Sequence, residues 1–270
     1  MILAAVTLTN YDLLLASTLV IAGAAVSLTL RLGLEKRLLL AALRATIQLA
    51  LLGTVLGWVF RTEAPAIVIA VMTLMATVAG IESVRRGSRR VKGLYAISIG
   101  VMLVSSMAVT VFGLTAVIDQ PGPWYAPQYA IPILGMVLGN ALNGISLGLD
   151  TALTGFDRDR HHVELLLAHG ATAKQASARV VRRAIRTGTI PILNSMVAVG
   201  VISIPGMMTG QMLAGEDPAD AARYQLFILF AITGGVALGT MGVVLCVTRL
   251  VFDSRDRLRM DWVRRVANDE

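Results

Sequence analysis

Side chains able to do chemistry are few in this sequence, and they are unevenly placed. Its three histidines, His161, His162 and His169, lie in one segment at a spacing that fits no standard metal site, and they read as surface residues. The one cysteine, Cys246, sits in an apolar run. A dense metal centre and a disulfide framework are both excluded by that pattern. A phosphate-cradling loop needs Gly-x-x-x-x-Gly-Lys-Ser/Thr, and none of Lys36, Lys92 or Lys174 is followed by Ser or Thr. The chain is therefore read as a non-enzyme that binds no cofactor of its own.

The remaining candidates are amides and thioethers in apolar surroundings. On a helical wheel Met136, Asn140, Asn143, Leu147 and Asp150 fall on one face, flanked by Gly135, Gly139 and Ser146 on one side and by Gly144 and Gly148 on the other. Small residues at this spacing let helices approach closely, so the stripe is expected to face inward. Its asparagines serve either as interhelical hydrogen-bond partners or as the lining of a transport path. Asn194 lies further on, and Pro205-Gly206 is expected to break a helix before Met207, Met208, Thr209 and Gln211. Thioethers suit soft metals but more often pack, so a metal ligand set stays unknown. A third pattern is Glu164 followed by three leucines, Gly170-Ala171 and Thr172-x-x-Gln175. Gly170 can take the left-handed conformation that stops a helix, and Thr172 with Gln175 is a capping box that starts another. Arg179, Arg182, Arg183 and Arg186 then share a face able to meet anionic headgroups.

The elements that carry these residues are set by composition. Of 270 residues 56% are hydrophobic and 15% charged, against about 25% charged in soluble domains; mean hydropathy is +0.71. A cytosolic enzyme, a secreted disulfide scaffold and a disordered regulator are excluded, which leaves a polytopic, all-α membrane protein. Seven apolar stretches are long enough to span: Tyr11–Leu32, Leu39–Phe60, Pro65–Ser83, Leu94–Val117, Tyr129–Leu149, Thr189–Met208 and Ala222–Phe252. Lys and Arg alternate along the connections and tail as 3, 1, 5, 0, 7, 1 and 6. Basic loops stay in the cytoplasm, which places the N-terminus outside and the C-terminus inside. The net charge of +7 thus reflects topology rather than nucleic-acid binding. Residues 151–187 form the long cytoplasmic connection within a single domain spanning 1–270. Glu82 is expected to pair with Arg85 or Arg86, or else to attract a cation, and Arg44 to reach for the headgroups.

The Glu164 to Gly170-Ala171 spacing resembles the coupling loop of ABC-transporter permeases. Two further segments narrow the resemblance: Ile131-Pro-Ile-Leu-Gly135 through Asn140 and Asn143, and Ile190-Pro191-Ile-Leu-Asn194-Ser195 continuing to Ile204-Pro205-Gly206-Met207-Met208-Thr209-Gly210-Gln211. Together they are similar to the FetB family of permeases, the UPF0014 group, whose bacterial members are associated with iron export and plant relatives with aluminium tolerance. The end of the loop departs from the usual coupling-loop pattern, with Val180-Val181-Arg182-Arg183 where Ile-x-Leu-Pro is common. The resemblance implies a permease subunit of an inner-membrane ABC exporter, two copies working with two FetA-like ATPase subunits that use ATP and Mg. It implies that Glu164, Gly170, Ala171 and Thr172 couple to the ATPase. The candidate path residues are Asn140, Asn143 and Met136 on the helical stripe, with Asn194, Gln211, Met207 and Met208 from the segment most like the family, the two methionines serving equally as a gate or an interface. Alternatives are a permease for another solute, such as a nucleotide sugar or an organic metal ligand, and a scaffold or sensor that moves nothing. The charge alternation makes a prediction: a cysteine at Asp217 labels from outside intact cells and one at Lys174 only after permeabilisation. External labelling at position 174 would reverse the orientation.

Overall fold

Backbone groups in hydrocarbon must find partners within their own segment, and the apolar runs of this chain do so as helices. The computed structural model describes residues 9–62, 64–118 and 122–265. In chain order the helices are α1 (Asn10–Thr29), α2 (Glu35–Thr62), α3 (Pro65–Arg85), α4 (Leu94–Phe112), α5 (Pro127–Arg158), α6 (Arg160–Ala168), α7 (Ala173–Ala198), α8 (Gly206–Leu213) and α9 (Pro218–Val251). α4 ends in one wide π turn, Gly113–Val117. Two short strands that the periodicity does not foretell, β1 (Arg89–Val91) and β2 (Val263–Arg265), pair antiparallel with Arg90 opposite Arg264. The described residues fall into two compact units: α1 and α2 with Leu213–Glu216, and the remainder from Ala64 onward.

In the first unit α1 and α2 join through a tight turn. Arg31 and Gly33 both take positive φ there, 52° and 70°. Buried Ser27 closes the turn, accepting from the Leu34 amide at 3.0 Å and donating to Glu35 at 3.0 Å. Both helices leave rows of leucines exposed. In water such a surface would be an aggregation liability; against acyl chains it is the normal exterior of a spanning helix.

In the second unit α5 is the central element, packed by α3, α4, α7 and α9. Gly144 and Gly148 allow the close approach that their spacing suggested, and Gly188 of α7 joins them. A Cβ on Gly188 would stand 2.5 Å from the Gly144 carbonyl oxygen and 2.6 Å from Thr240 Cγ2 of α9. Backbone therefore meets backbone where α5, α7 and α9 cross. Gly139, in contrast, has nothing within 4 Å of a would-be Cβ. Gly235 of α9 receives the Val137 side chain.

The seventh stretch differs from expectation. Six helices, α1 to α5 and α9, are long and apolar enough to cross a membrane among the described residues. The Thr189–Met208 stretch is not one helix. Its helical part ends at Ala198, and Thr189–Ala198 rises only about 15 Å at 1.5 Å per residue, half of a roughly 30 Å hydrocarbon core. The β-branched run after Ala198 leaves the helix at Val199, and Gly200 takes φ +83°. Pro205-Gly206 does not break this helix but starts the next: the Pro205 carbonyl accepts from Thr209 at 3.0 Å, and proline is favoured at a helix start. The connection over residues 151–187 is helical on both sides of its turn. It comprises the end of α5, all of α6 and the first half of α7.

Crowding at Gly188 yields a stability prediction. Gly188→Val is expected to lower thermal stability by about 1–3 kcal/mol or prevent assembly, the usual cost of overpacking. Gly100→Ala, with nothing within 4 Å of its Cβ, is expected to leave the melting temperature unchanged. Equal melting of both variants would show that the three-helix crossing is loose.

Candidate functional site

The turn between α6 and α7 is built from two interlocking capping motifs. Gly170 takes φ +87°, its amide donates to the Leu167 carbonyl at 3.0 Å, and the Ala171 amide donates to Leu166 at 3.0 Å. This pair of bonds is the Schellman closure of α6. Thr172 then caps α7: its hydroxyl accepts from the Gln175 amide at 3.3 Å while the Gln175 side chain accepts from the Thr172 amide at 2.9 Å. The two expected capping signals are thus both present, within three residues of each other. The second helix is longer than anticipated, since α7 carries the elbow straight into the three-helix crossing.

The chain's tail braces this elbow. Asp256 accepts from the Ala173 amide at 3.2 Å, at the electropositive first turn of α7. Asp253 collects the amides of Arg255 and Arg257, both at 2.9 Å, and the Arg257 guanidinium. The Arg257 backbone amide foremost, aided by that guanidinium, holds the Asp253 carboxyl down to about 2. A groove of about 490 Å³ runs between elbow and tail, bordered by Glu164, Gly170, Ala171, Thr172, Arg255 and Leu258. Glu164 lies at its edge, half-exposed and bound to Arg160 at 2.7 Å. All four residues singled out for coupling therefore share one surface.

The α5 stripe is a correction. Asn140, Asn143 and Leu147 are exposed and Met136 is half-buried, so the stripe does not point into the packed interior of this unit. Asn140 donates to the Met136 carbonyl of its own helix at 2.9 Å. Asn143 accepts from the Arg86 guanidinium at 2.8 Å, and Arg86 lies 3.8 Å from Glu82, as the sequence anticipated for that acid. Further along the same face Asp150 takes the Ser88 amide and hydroxyl at 2.9 and 2.6 Å, and Arg89 reaches Thr154 at 2.6 Å and Asp157 at 2.5 Å. The connection between α3 and β1 thus lies along α5 residue by residue. Beyond the Glu82 pair, the charge count along the chain reads that basic run as a marker of sidedness. The signal was present: 143, 150, 154 and 157 repeat at helical spacing, opposite a run of cations.

The other expected path residues are dispersed. Asn194 is exposed on α7, and Met207 and Met208 are half-buried on α8. The Gln211 Oε1 is shielded and has no hydrogen-bond partner. Among the described residues no hydrogen bond joins Asn140 or Asn143 to Asn194 or Gln211, and no cluster of three His, Cys, Asp or Glu could hold a metal. Met196 accepts from Thr233 at 3.3 Å, which ties α7 to α9.

Long apolar helices with lipid-ready exteriors, one basic end and no catalytic cluster among the described residues define a multi-pass helical membrane protein. Comparison with known sequences narrows the class: the chain belongs to the uncharacterised protein family UPF0014, whose model matches residues 10–252. It is 38% identical over 238 residues to the UPF0014 membrane protein slr1647 of Synechocystis, covering 87% of this chain and 92% of that one. It is 30% identical over 251 residues to the "probable iron export permease protein FetB" of Escherichia coli, covering 93% and 95%. Protein ALUMINUM SENSITIVE 3 of Arabidopsis thaliana is 29% identical over 226 residues, covering 84% and 81%. No solved structure matches the chain.

The two asparagines can be separated experimentally. Asn143→Leu removes the contact with Arg86, whose half-exposed guanidinium keeps Glu82 and water, and is expected to lower the melting temperature by an amount matching about 0.5–1.5 kcal/mol, the net worth of one hydrogen bond. Asn140→Leu removes only a bond within its own helix and is expected to leave melting nearly unchanged. Equal melting of the two variants would show that the Arg86 contact adds nothing to stability.

Proposed function

We propose that this chain is the permease subunit of an ABC exporter in the inner membrane, acting as one permease domain in a complex of two permeases with two separate ATPase subunits. Its cargo in this reading is a metal, with iron favoured because the Escherichia coli relative carries that name. The observation that carries the reading is the α6–α7 elbow. Rigid closure at Gly170, the Thr172 cap and the Asp256 brace make it a firm knob rather than a flexible loop. A firm knob is what a partner needs if hydrolysis is to push a helix, and α7 leads directly from the elbow to the crossing with α5 and α9. Glu164, Gly170, Ala171 and Thr172 form the docking face, and ATP and Mg belong to the partner.

The substrate path runs along the α5 stripe, where Met136, Asn140 and Asn143 leave the first polar surface in an otherwise apolar wall. Asn194, Met207, Met208 and Gln211 belong to the same path through α7 and α8. Polar groups in hydrocarbon are costly and are retained where solutes pass. The Arg86 guanidinium on Asn143 supports a second reading. A fixed cation there repels a bare metal ion and attracts an anion, so an organic metal ligand or a nucleotide sugar is the alternative cargo. Solute-stimulated ATPase activity in a reconstituted complex, with iron alone, with iron chelated by citrate and with a nucleotide sugar, tests these cargoes against one another, and stimulation by none of them would leave a scaffold.

Coupling has its own test. Valine takes the left-handed conformation only at a cost that glycine does not pay, so Gly170→Val is expected to misdirect the elbow. ATP hydrolysis by the complex should continue while transport falls about tenfold or more. Wild-type transport and co-purification of the ATPase with Gly170→Val would refute the docking claim.

A further inference from the structure

The elbow and the α5 stripe leave one large feature without a role. Between the first half of α7 and the end of α9 lies a cavity of about 1150 Å³, open along one side. Ligand pockets for small molecules run to roughly 300–1,000 Å³, so this space suits something larger. Its rim carries Arg182 and Arg186 of α7 and Arg249 of α9. All three are exposed, and among the described residues none has an ion pair or a side-chain hydrogen bond. They differ from Arg183, which pairs with Asp159 at 3.3 Å, so the basic face of α7 is divided between a structural cation and unpartnered ones. Arg182 and Arg186 stand four residues apart on one helix, a spacing at which like charges destabilise each other.

Two acids also line the cavity, and both are engaged elsewhere. Asp253 is held by Arg257 and two amides, and Asp256 by the amide of Ala173. Neither neutralises the rim. Between the arginines the wall is apolar, with Val181, Ile185 and Leu245 facing the space. A site for a small free anion would have no use for that wall, and a purely apolar ligand would have no use for the rim. The two together specify an amphiphile with an anionic head and a hydrocarbon chain, at a height in the bundle where the helices leave the apolar region.

We propose that this groove binds one anionic phospholipid, its phosphate held by Arg182, Arg186 and Arg249 and an acyl chain laid against Val181, Ile185 and Leu245. The site does not depend on what the protein transports. Basic recesses between helices at a membrane surface attract anionic headgroups, each cation contributing roughly a fivefold gain in affinity.

Native mass spectrometry of the full chain in detergent, with phosphatidylglycerol and phosphatidylcholine supplied together, tests the assignment. Phosphatidylglycerol is expected to stay bound in preference to phosphatidylcholine by on the order of 100-fold, three arginines acting together. The R182Q/R186Q/R249Q variant should lose that preference, and R182K/R186K/R249K should keep most of it. Leu245→Gln, which leaves the charge intact, should lower retention of the lipid through the wall alone. Where the triple glutamine variant does not assemble, Arg249→Gln is measured singly, with about a fivefold loss expected. Equal retention of the two lipids, or retention unaffected by the charge-neutral variants, overturns the proposal. Displacement of phosphatidylglycerol by millimolar inorganic phosphate, or no effect of Leu245→Gln, assigns the rim to a plain anion and overturns it equally.

Discussion

Three glycines on two helices set the distance at which α5, α7 and α9 cross, and the working parts of the second unit hang from that crossing. With Gly144 and Gly148 on α5 and Gly188 on α7, a carbonyl of one helix lies where the side chain of the next would begin. In a membrane there is no hydrophobic drive to bring helices together, because lipid tails are as apolar as leucine. Close van der Waals contact and a few polar contacts must do it. The crossing fixes α7, and α7 carries the elbow at one end and Asn194 towards the other. It also fixes α5, whose outward face carries the asparagines. Loosening it by one side chain would disturb elbow and stripe together.

Electrostatics organise the basic end in a second layer. Arg86, Ser88 and Arg89 are laid along α5 by Asn143, Asp150, Thr154 and Asp157, while Asp253 and Asp256 fold the tail against the elbow. The cations counted as a topology signal are thus of two kinds. Some hold the structure together, and others, Arg182, Arg186 and Arg249 among them, remain available. A count along the sequence cannot separate them, because the separation depends on which acids the fold brings near.

Much of the local structure was legible because it rests on local chemistry. The capping box at Thr172 and Gln175 and the left-handed Gly170 involve residues within a few positions of each other, and both were readable. The close approach at Gly144 and Gly148 was readable from spacing, but its partner Gly188 was not, since nothing in α7 alone says which face meets α5. The break after Ala198 was misplaced for a related reason. Pro205-Gly206 looks like an interruption when hydropathy is read as a continuous span, yet Pro205 stands just ahead of α8, where its missing amide leaves no donor unpaired and its carbonyl accepts the first bond of the helix. The inward expectation for Asn140 and Asn143 failed because amphipathicity reports that a face is different, not which neighbour it meets.

The pairing of β1 with β2 has a consequence for how the molecule is made. β1 sits between α3 and α4, whereas β2 follows α9, so the strand that closes the ribbon leaves the ribosome after every spanning helix. The same late segment carries Asp256, which braces the first turn of α7. During synthesis the helices can insert in order while the elbow still lacks its brace. The elbow rests on its own two caps until the tail arrives, so an unfinished chain carries the turn without its brace, and the last contact at the start of α7 is made only once every helix has been synthesised.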